Sequence, residues 1–127
     1  MKILIPTAGP EPAREKAEYV AKLASSLEAK MIVLHIVQNN NEKPGKEAFK
    51  IFENQCKKDK IKLKTVIKDG EVVPTISKVA EEEKADLIVM GASEGRVVEK
   101  WLAADILERT KVPVVIIPMG FDSVVFE

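Results

Sequence analysis

The sequence predicts one α/β domain: a doubly wound, five-stranded parallel sheet in the order 3-2-1-4-5, with helices on both faces. Three observations lead there. Strand and helix signals alternate along all 127 residues, the pattern of a parallel sheet with crossover helices. The strand signals are short apolar runs, and that at 31–37 is near-continuous, as burial on both faces requires. The run at 85–90 stops abruptly in a glycine-bounded loop from Gly91 to Gly95, where an open parallel sheet would place a ligand.

The elements follow in order. Lys2-Ile3-Leu4-Ile5-Pro6 is a short apolar strand, after which Pro10 and Pro12 break the chain. Pro12 suits the first turn of a helix, where its missing N–H costs nothing. Ala13, Ala17, Val20, Ala21, Ala24 and Leu27 recur at helical spacing and mark one buried face. Residues 31–37 form a central strand, and 39–45 a polar, turn-rich, mobile loop. A helix carrying Ala48, Phe49, Phe52 and Cys56 comes next. Residues 61–67 alternate apolar side chains with lysine, which predicts a half-exposed edge strand. After the Asp69-Gly70 turn, Pro74 opens a helix with Ile76, Val79 and Ala80 inward and a solvated end at 81–84. A strand at 86–90, a helix near 96–110 and a strand at 112–117 complete the series.

Composition narrows the function. Twenty basic residues balance twenty acidic ones, so no global field draws the chain to nucleic acid or to an anionic membrane. A single cysteine, Cys56, forms no internal disulfide and fits a reducing compartment. The N-terminus runs straight into a strand, without the basic region and long apolar core of a signal peptide. No apolar run approaches the roughly 20 residues that span a bilayer. The expected location is the cytoplasm. His35 has no histidine partner and no cysteine pair exists, so a metal site is not expected. Within its apolar run His35 reads as a hydrogen-bonded structural residue, and Cys56 as a semi-buried helix residue. Trp101 reads as packing the last helix onto the sheet with Leu102 and Ile106.

The strand order reverses between the first and fourth strands, so a crevice should open there. Pro6, Thr7 and Gly9 line one side, Val37 ends the second strand, and Gly91, Ser93, Gly95 and Arg96 line the other. Glycines let a backbone approach a phosphate, and the next helix offers unpaired N–H groups. The same glycines also serve a sharp strand-to-helix turn, and both readings stand at this point.

Five segments in order resemble the universal stress protein family: residues 2–6, 34–37, Gly70, 85–91 and 112–118. The resemblance implies the same five-stranded fold over residues 1–118, with 119–127 as a C-terminal tail. That family contains members that bind ATP and members that do not. Binders carry an aspartate just after the first strand and a phosphate loop of form G-x2-G-x9-G-[ST]. Here Ala8 stands where the aspartate would fall, Glu94 where the second loop glycine would, and Lys100-Trp101 near the closing pair. The segment from Gly91 to Pro113 is also about four residues shorter than in binders. Glu94 brings negative charge into a phosphate pocket, which Arg96 offsets in part. The expectation is therefore a degenerate ATP motif and no required cofactor, with ATP or another nucleotide as the ligand to test.

The last strand is an apolar edge, which invites pairing with another chain. The resemblance implies a two-fold dimer through it, and an isologous dimer is also the commonest closed assembly. Val112, Val114, Ile116, Phe121, Val124 and Phe126 are the candidate interface residues. The alternative for the tail is a local tuck onto the chain's own helices. Three functional readings stand: a homodimeric stress-response protein acting on unknown protein partners, a nucleotide or anion sensor, and a slow nucleotide hydrolase. The third is the weakest, because the crevice shows no obvious magnesium carboxylate or general base, with Glu94 as the only nearby candidate.

Overall fold

The computed structural model describes residues 1–91 and 102–118, with side chains described from 104 onward in the last helix. The elements are β1 (Lys2–Pro6), α1 (Pro10–Ser26), β2 (Lys30–Ile36), α2 (Lys43–Asp59) and β3 (Leu63–Lys68). They continue with α3 (Val72–Glu82), β4 (Leu87–Gly91), α4 (Leu102–Arg109) and β5 (Val114–Ile117). The strands form one sheet in the order β3-β2-β1-β4-β5, and every described pairing is parallel. This is the order the sequence predicts.

Strand alternation divides the core into two layers. Ile3, Ile5, Met31, Val33, Val89 and Ile117 face one side, where Ala13, Ala17, Val20 and Ala24 of α1 and Ala48, Phe49, Phe52 and Cys56 of α2 cover them. Leu4, Ile32, Leu34, Ile36, Ile88 and Met90 face the other, under Val73, Ile76, Val79 and Ala80 of α3 and Ile106 of α4. The alanines of α1 bring it close to both the sheet and α2, as their small volume allows.

Local details differ from expectation in several places: α1 already begins at Pro10, β3 covers Leu63–Lys68 rather than 61–67, and β5 covers Val114–Ile117 rather than 112–117. The 39–45 loop is shorter, because Lys43, Pro44 and Gly45 already belong to α2. Asn39 and Asn40 make the turn with positive φ, which asparagine tolerates, and Gln38 bridges to Asn41 across it. Helix α3 begins at Val72, so Pro74 lies in its first turn, where no intrahelical donor is required. Leu27 caps α1 and is exposed instead of completing the buried face. Cys56 is fully buried, not half-buried, and its Sγ lies 3.5 Å from Met31 Sδ.

One packing contact ties α2 to the sheet. Gly45 sits against the His35 ring so closely that a Cβ there would lie inside van der Waals contact of Cδ2 and 2.6 Å from Cγ. The ring cannot retreat, since its Nδ1 is bonded to the Thr7 carbonyl. Gly45→Ala should therefore cost about 1–3 kcal/mol, as overpacking of a fixed group does. Chemical denaturation checks this: the midpoint should fall while the slope holds.

Candidate functional site

The site begins where two central strands part. β1 stays paired with β2 through Pro6↔Leu34, but its register with β4 holds only Ile3↔Leu87 and Leu4↔Ile88. β4 instead continues beside β5 to Gly91↔Ile117. Pro6 has no N–H with which to extend a ladder, so it sits well at the last position of a strand leaving its neighbour.

The freed end of β1 is held by polar bonds. Thr7 N donates to Leu34 O at 2.9 Å, and Thr7 Oγ1 donates to Gly9 O at 3.3 Å. His35 Nδ1 lies 2.9 Å from Thr7 O; a carbonyl only accepts, so Nδ1 carries the proton. Lys16 Nζ donates to Pro6 O at 2.9 Å. That lysine is 1% exposed, on the face of α1 otherwise made of alanines and Val20. Burial pushes its ammonium down to about 7, against a smaller upward pull from Glu15. Its spacing from Ala13 and Val20 puts Lys16 on the edge of the buried stripe, a signal that the expected site residues did not use.

On the α3 face of this junction lies a hollow of about 280 Å³. Leu34, Ile36, Val72, Ile76 and Met90 supply its apolar walls, and Pro6, Thr7, Ala8, His35 and Gln38 complete it. Val72 and Ile76 reach it together because residues four apart share a helix face. The size is near the lower end of ligand pockets, and the chemistry suits a flat apolar ring. No lysine, arginine or carboxylate appears among its described lining residues.

Of the expected ligand residues, Pro6 and Thr7 line the hollow. Gly9 does not: it is the N-cap of α1, and its carbonyl accepts from Ala13 N. Val37 stands aside, its N–H given to Lys68 O at 2.8 Å. Gly91 is the buried last residue of β4. Ser93, Glu94, Gly95, Arg96 and Trp101 lie outside the described residues, as do Phe121, Val124 and Phe126. Gln38, Val72, Ile76 and Met90 are lining residues that the sequence did not single out. Gly70, with φ +127, offered the one local signal, because it places the start of α3 beside the strand ends. His35 has the structural hydrogen bond expected of it.

The three interface candidates on and before β5 fare differently. Val112 and Val114 pack on the α3 and α4 side of the core, whereas Ile116 is 42% exposed. Among the described residues, no group of three or more His, Cys, Asp and Glu side chains could hold a metal ion. No described helix is long and apolar enough to cross a membrane.

The universal stress protein family profile matches residues 1–118. Universal stress protein MJ0531 of Methanocaldococcus jannaschii is 26% identical over 125 residues, covering 85% of this chain and 74% of that relative. Among solved structures, a universal stress protein in complex with cAMP superposes with a TM-score of 0.74 at 18% identity. That match covers 94% of this chain and 98% of the other. The universal stress protein from Archaeoglobus fulgidus in complex with dAMP gives 0.71 at 20% identity, covering 92% and 97%. At these identities the two structures establish the fold alone.

Lys16 makes stability depend on pH. Its folded value near 7 lies below the ordinary 10.5, so above pH 7 the folded chain binds fewer protons than the unfolded one. The penalty for burying the charge is full below pH 7 and is relieved as pH rises towards 10.5. Between pH 7 and 9 unfolding free energy should rise by about 2 kcal/mol, one proton at 1.36 kcal/mol per unit. Lys16→Met should flatten that rise in denaturant titrations. Above pH 9 the rise levels off: burial and Asp59 push the Cys56 thiol up to about 11, so the folded state keeps a thiol proton that the unfolded chain loses, and this offsets the Lys16 gain until both are spent.

Proposed function

The chain belongs to the universal stress protein family, and from that membership we propose a homodimeric stress-response protein whose crevice takes a mononucleotide by its base. The observation that carries this reading is the 280 Å³ hollow at the parting of β1 and β4, with its apolar walls and polar mouth. A purine ring matches such a slot, and strand-end backbone groups with the Gln38 carboxamide can read a ring edge. Relatives of the same fold were solved with cAMP and with dAMP.

The triphosphate is where this chain departs from ATP binders. Ala8 offers no carboxylate to a ribose, and the sequence has Glu94 where ATP binders have the second loop glycine, a charge that would oppose a phosphate there. Binding therefore draws on the base and at most one phosphate. No paired acid and base appears among the described lining residues, which favours a ligand sensor over a hydrolase. The output passes to protein partners in the reducing interior of the cell.

Thermal unfolding with AMP, cAMP, dAMP and ATP tests the reading. Binding to the folded state alone must raise the midpoint by mass action. Millimolar AMP should raise it by a few degrees, with ATP giving no more than AMP. If no nucleotide moves it, the crevice is inherited architecture and the protein acts through partner surfaces only.

The dimer reading rests on the contrast between the two sheet edges. β3 carries Lys64 and Lys68, flanked by Lys62, and charge on an edge strand blocks pairing. β5 presents Val114, Val115 and the exposed Ile116 without a charge. A second copy paired there, with the 119–127 tail across the seam, would cover that edge. Ile116→Lys should convert the dimer to a folded monomer in analytical ultracentrifugation. A monomeric wild type would end this part of the proposal.

A further inference from the structure

The opposite end of the sheet carries an unusual charge arrangement. Residues 57–64, which lead into and begin β3 at this end, contain five lysines and one acidic residue, in a chain of zero net charge. The fold adds two more lysines to that end. Lys2 is in register with Lys30 on the neighbouring strand. Lys62 directly precedes Leu63, which is in register with Met31, so the same row continues to Lys62. Register-matched residues on parallel strands point to one face about 4.8 Å apart. Lys64, two residues along β3, shares the face of Lys62. Like charges placed side by side across strands destabilise a sheet, so such a row needs a reason.

Edge protection is not that reason. It accounts for Lys62 and Lys64, but Lys2 and Lys30 lie on interior strands. Acidic neighbours do not neutralise the row either. Glu83 gives both carboxylate oxygens to Lys64 Nζ, at 2.6 and 2.8 Å. Lys2 Nζ donates to the Glu83 backbone carbonyl at 3.1 Å, and Asp86 accepts from the Lys2 backbone N–H at 2.8 Å. No described ion pair reaches Lys30 or Lys62. Glu28 and Asp59 border the neighbouring hollow with Lys30 and Lys62, and Asp59 is bonded to Gln55.

The four lysines frame a cleft of about 300 Å³, closed by Met31, Ile32, Leu63 and Glu83. Four lysines and one acidic residue, Glu83, line it, with Asp86 beside Lys2 at its border. We propose that this cleft binds a compact polyphosphate anion of the pyrophosphate or tripolyphosphate class. Lysine is a point-charge donor suited to phosphate oxygens, and the concave floor would hold several oxygens at once. No aromatic side chain lines the cleft, so it lacks the stacking platform of a single-stranded nucleic-acid site. The site lies at the N-terminal ends of the strands, away from the crevice at their C-terminal ends, and does not depend on nucleotide binding there.

The test is titration of the full chain with sodium tripolyphosphate at constant ionic strength, followed by calorimetry and by the thermal midpoint. Wild type should bind and gain stability. Lys30→Gln with Lys62→Gln should weaken binding roughly tenfold or more, as loss of charge-assisted contacts does. That pair should be at least as stable as wild type without the anion, because a repulsion is removed. Lys57→Gln with Lys58→Gln removes the same charge nearby and should change binding less than about twofold, since simple screening is shared by all exposed lysines. Equal losses in the two double variants would reduce the effect to general electrostatics and overturn the proposal. So would retained binding in the first pair, which would place the anion in the crevice, or no binding by wild type.

Discussion

The structure turns on the point where β1 leaves β4. A parallel sheet that runs outward from its first strand in both directions must part its connections there, and the parting leaves backbone groups that need partners. Here the carbonyls of Pro6 and Thr7 are taken by Lys16 Nζ and His35 Nδ1. The two donors arrive from different elements, α1 and β2, and His35 is fixed in turn by the backbone of α2 at Gly45. Three elements thus converge on two peptide groups. The hollow on the other face has a rigid wall at Pro6-Thr7-Ala8 because that segment is tied from behind.

Lys16 is a costly way to tie it. A buried ammonium loses its hydration, and the Pro6 carbonyl is one of the groups that must offset that loss. A well-packed apolar residue would serve α1 better as a helix on a sheet. What it would not supply is a donor at the strand end, and an unsatisfied buried carbonyl costs roughly 1–3 kcal/mol by itself. The lysine thus trades global stability for a defined backbone at the crevice, a trade common where a site needs fixed geometry.

Much of this architecture is legible in the sequence, because alternation and period report burial directly. The run at 31–37 is apolar but for His35 because both of its faces are covered, and 61–67 alternates because it lies at an edge. The site is less legible. Lys16 is one of two lysines in α1; its spacing from Ala13 and Val20 puts it beside the buried stripe, but a charged side chain there reads as the solvated border of the face rather than as a buried donor. Gly45 looked like loop punctuation, whereas its role is to make room for a ring ten residues earlier. Val72 and Ile76 read as core residues, and only the three-dimensional parting of β1 and β4 turns their common face into a pocket wall. Local chemistry is written in the chain; convergence of distant elements is not.

The two ends of the sheet complete the argument. At the C-terminal ends, the described lining of the hollow carries no charged side chain, and the buried Lys16 ammonium donates to the Pro6 carbonyl. At the N-terminal ends, lysines on three adjacent strands are set in one row, with Glu83 and Asp86 as the acceptor side chains beside it. A chain with zero net charge could have interspersed its signs and relieved that repulsion. Segregation on a rigid sheet rim does the opposite, since neither strand register nor spacing can relax without breaking the ladder. The same sheet that opens a slot for an apolar ring at one end thus holds a fixed array of positive charge at the other.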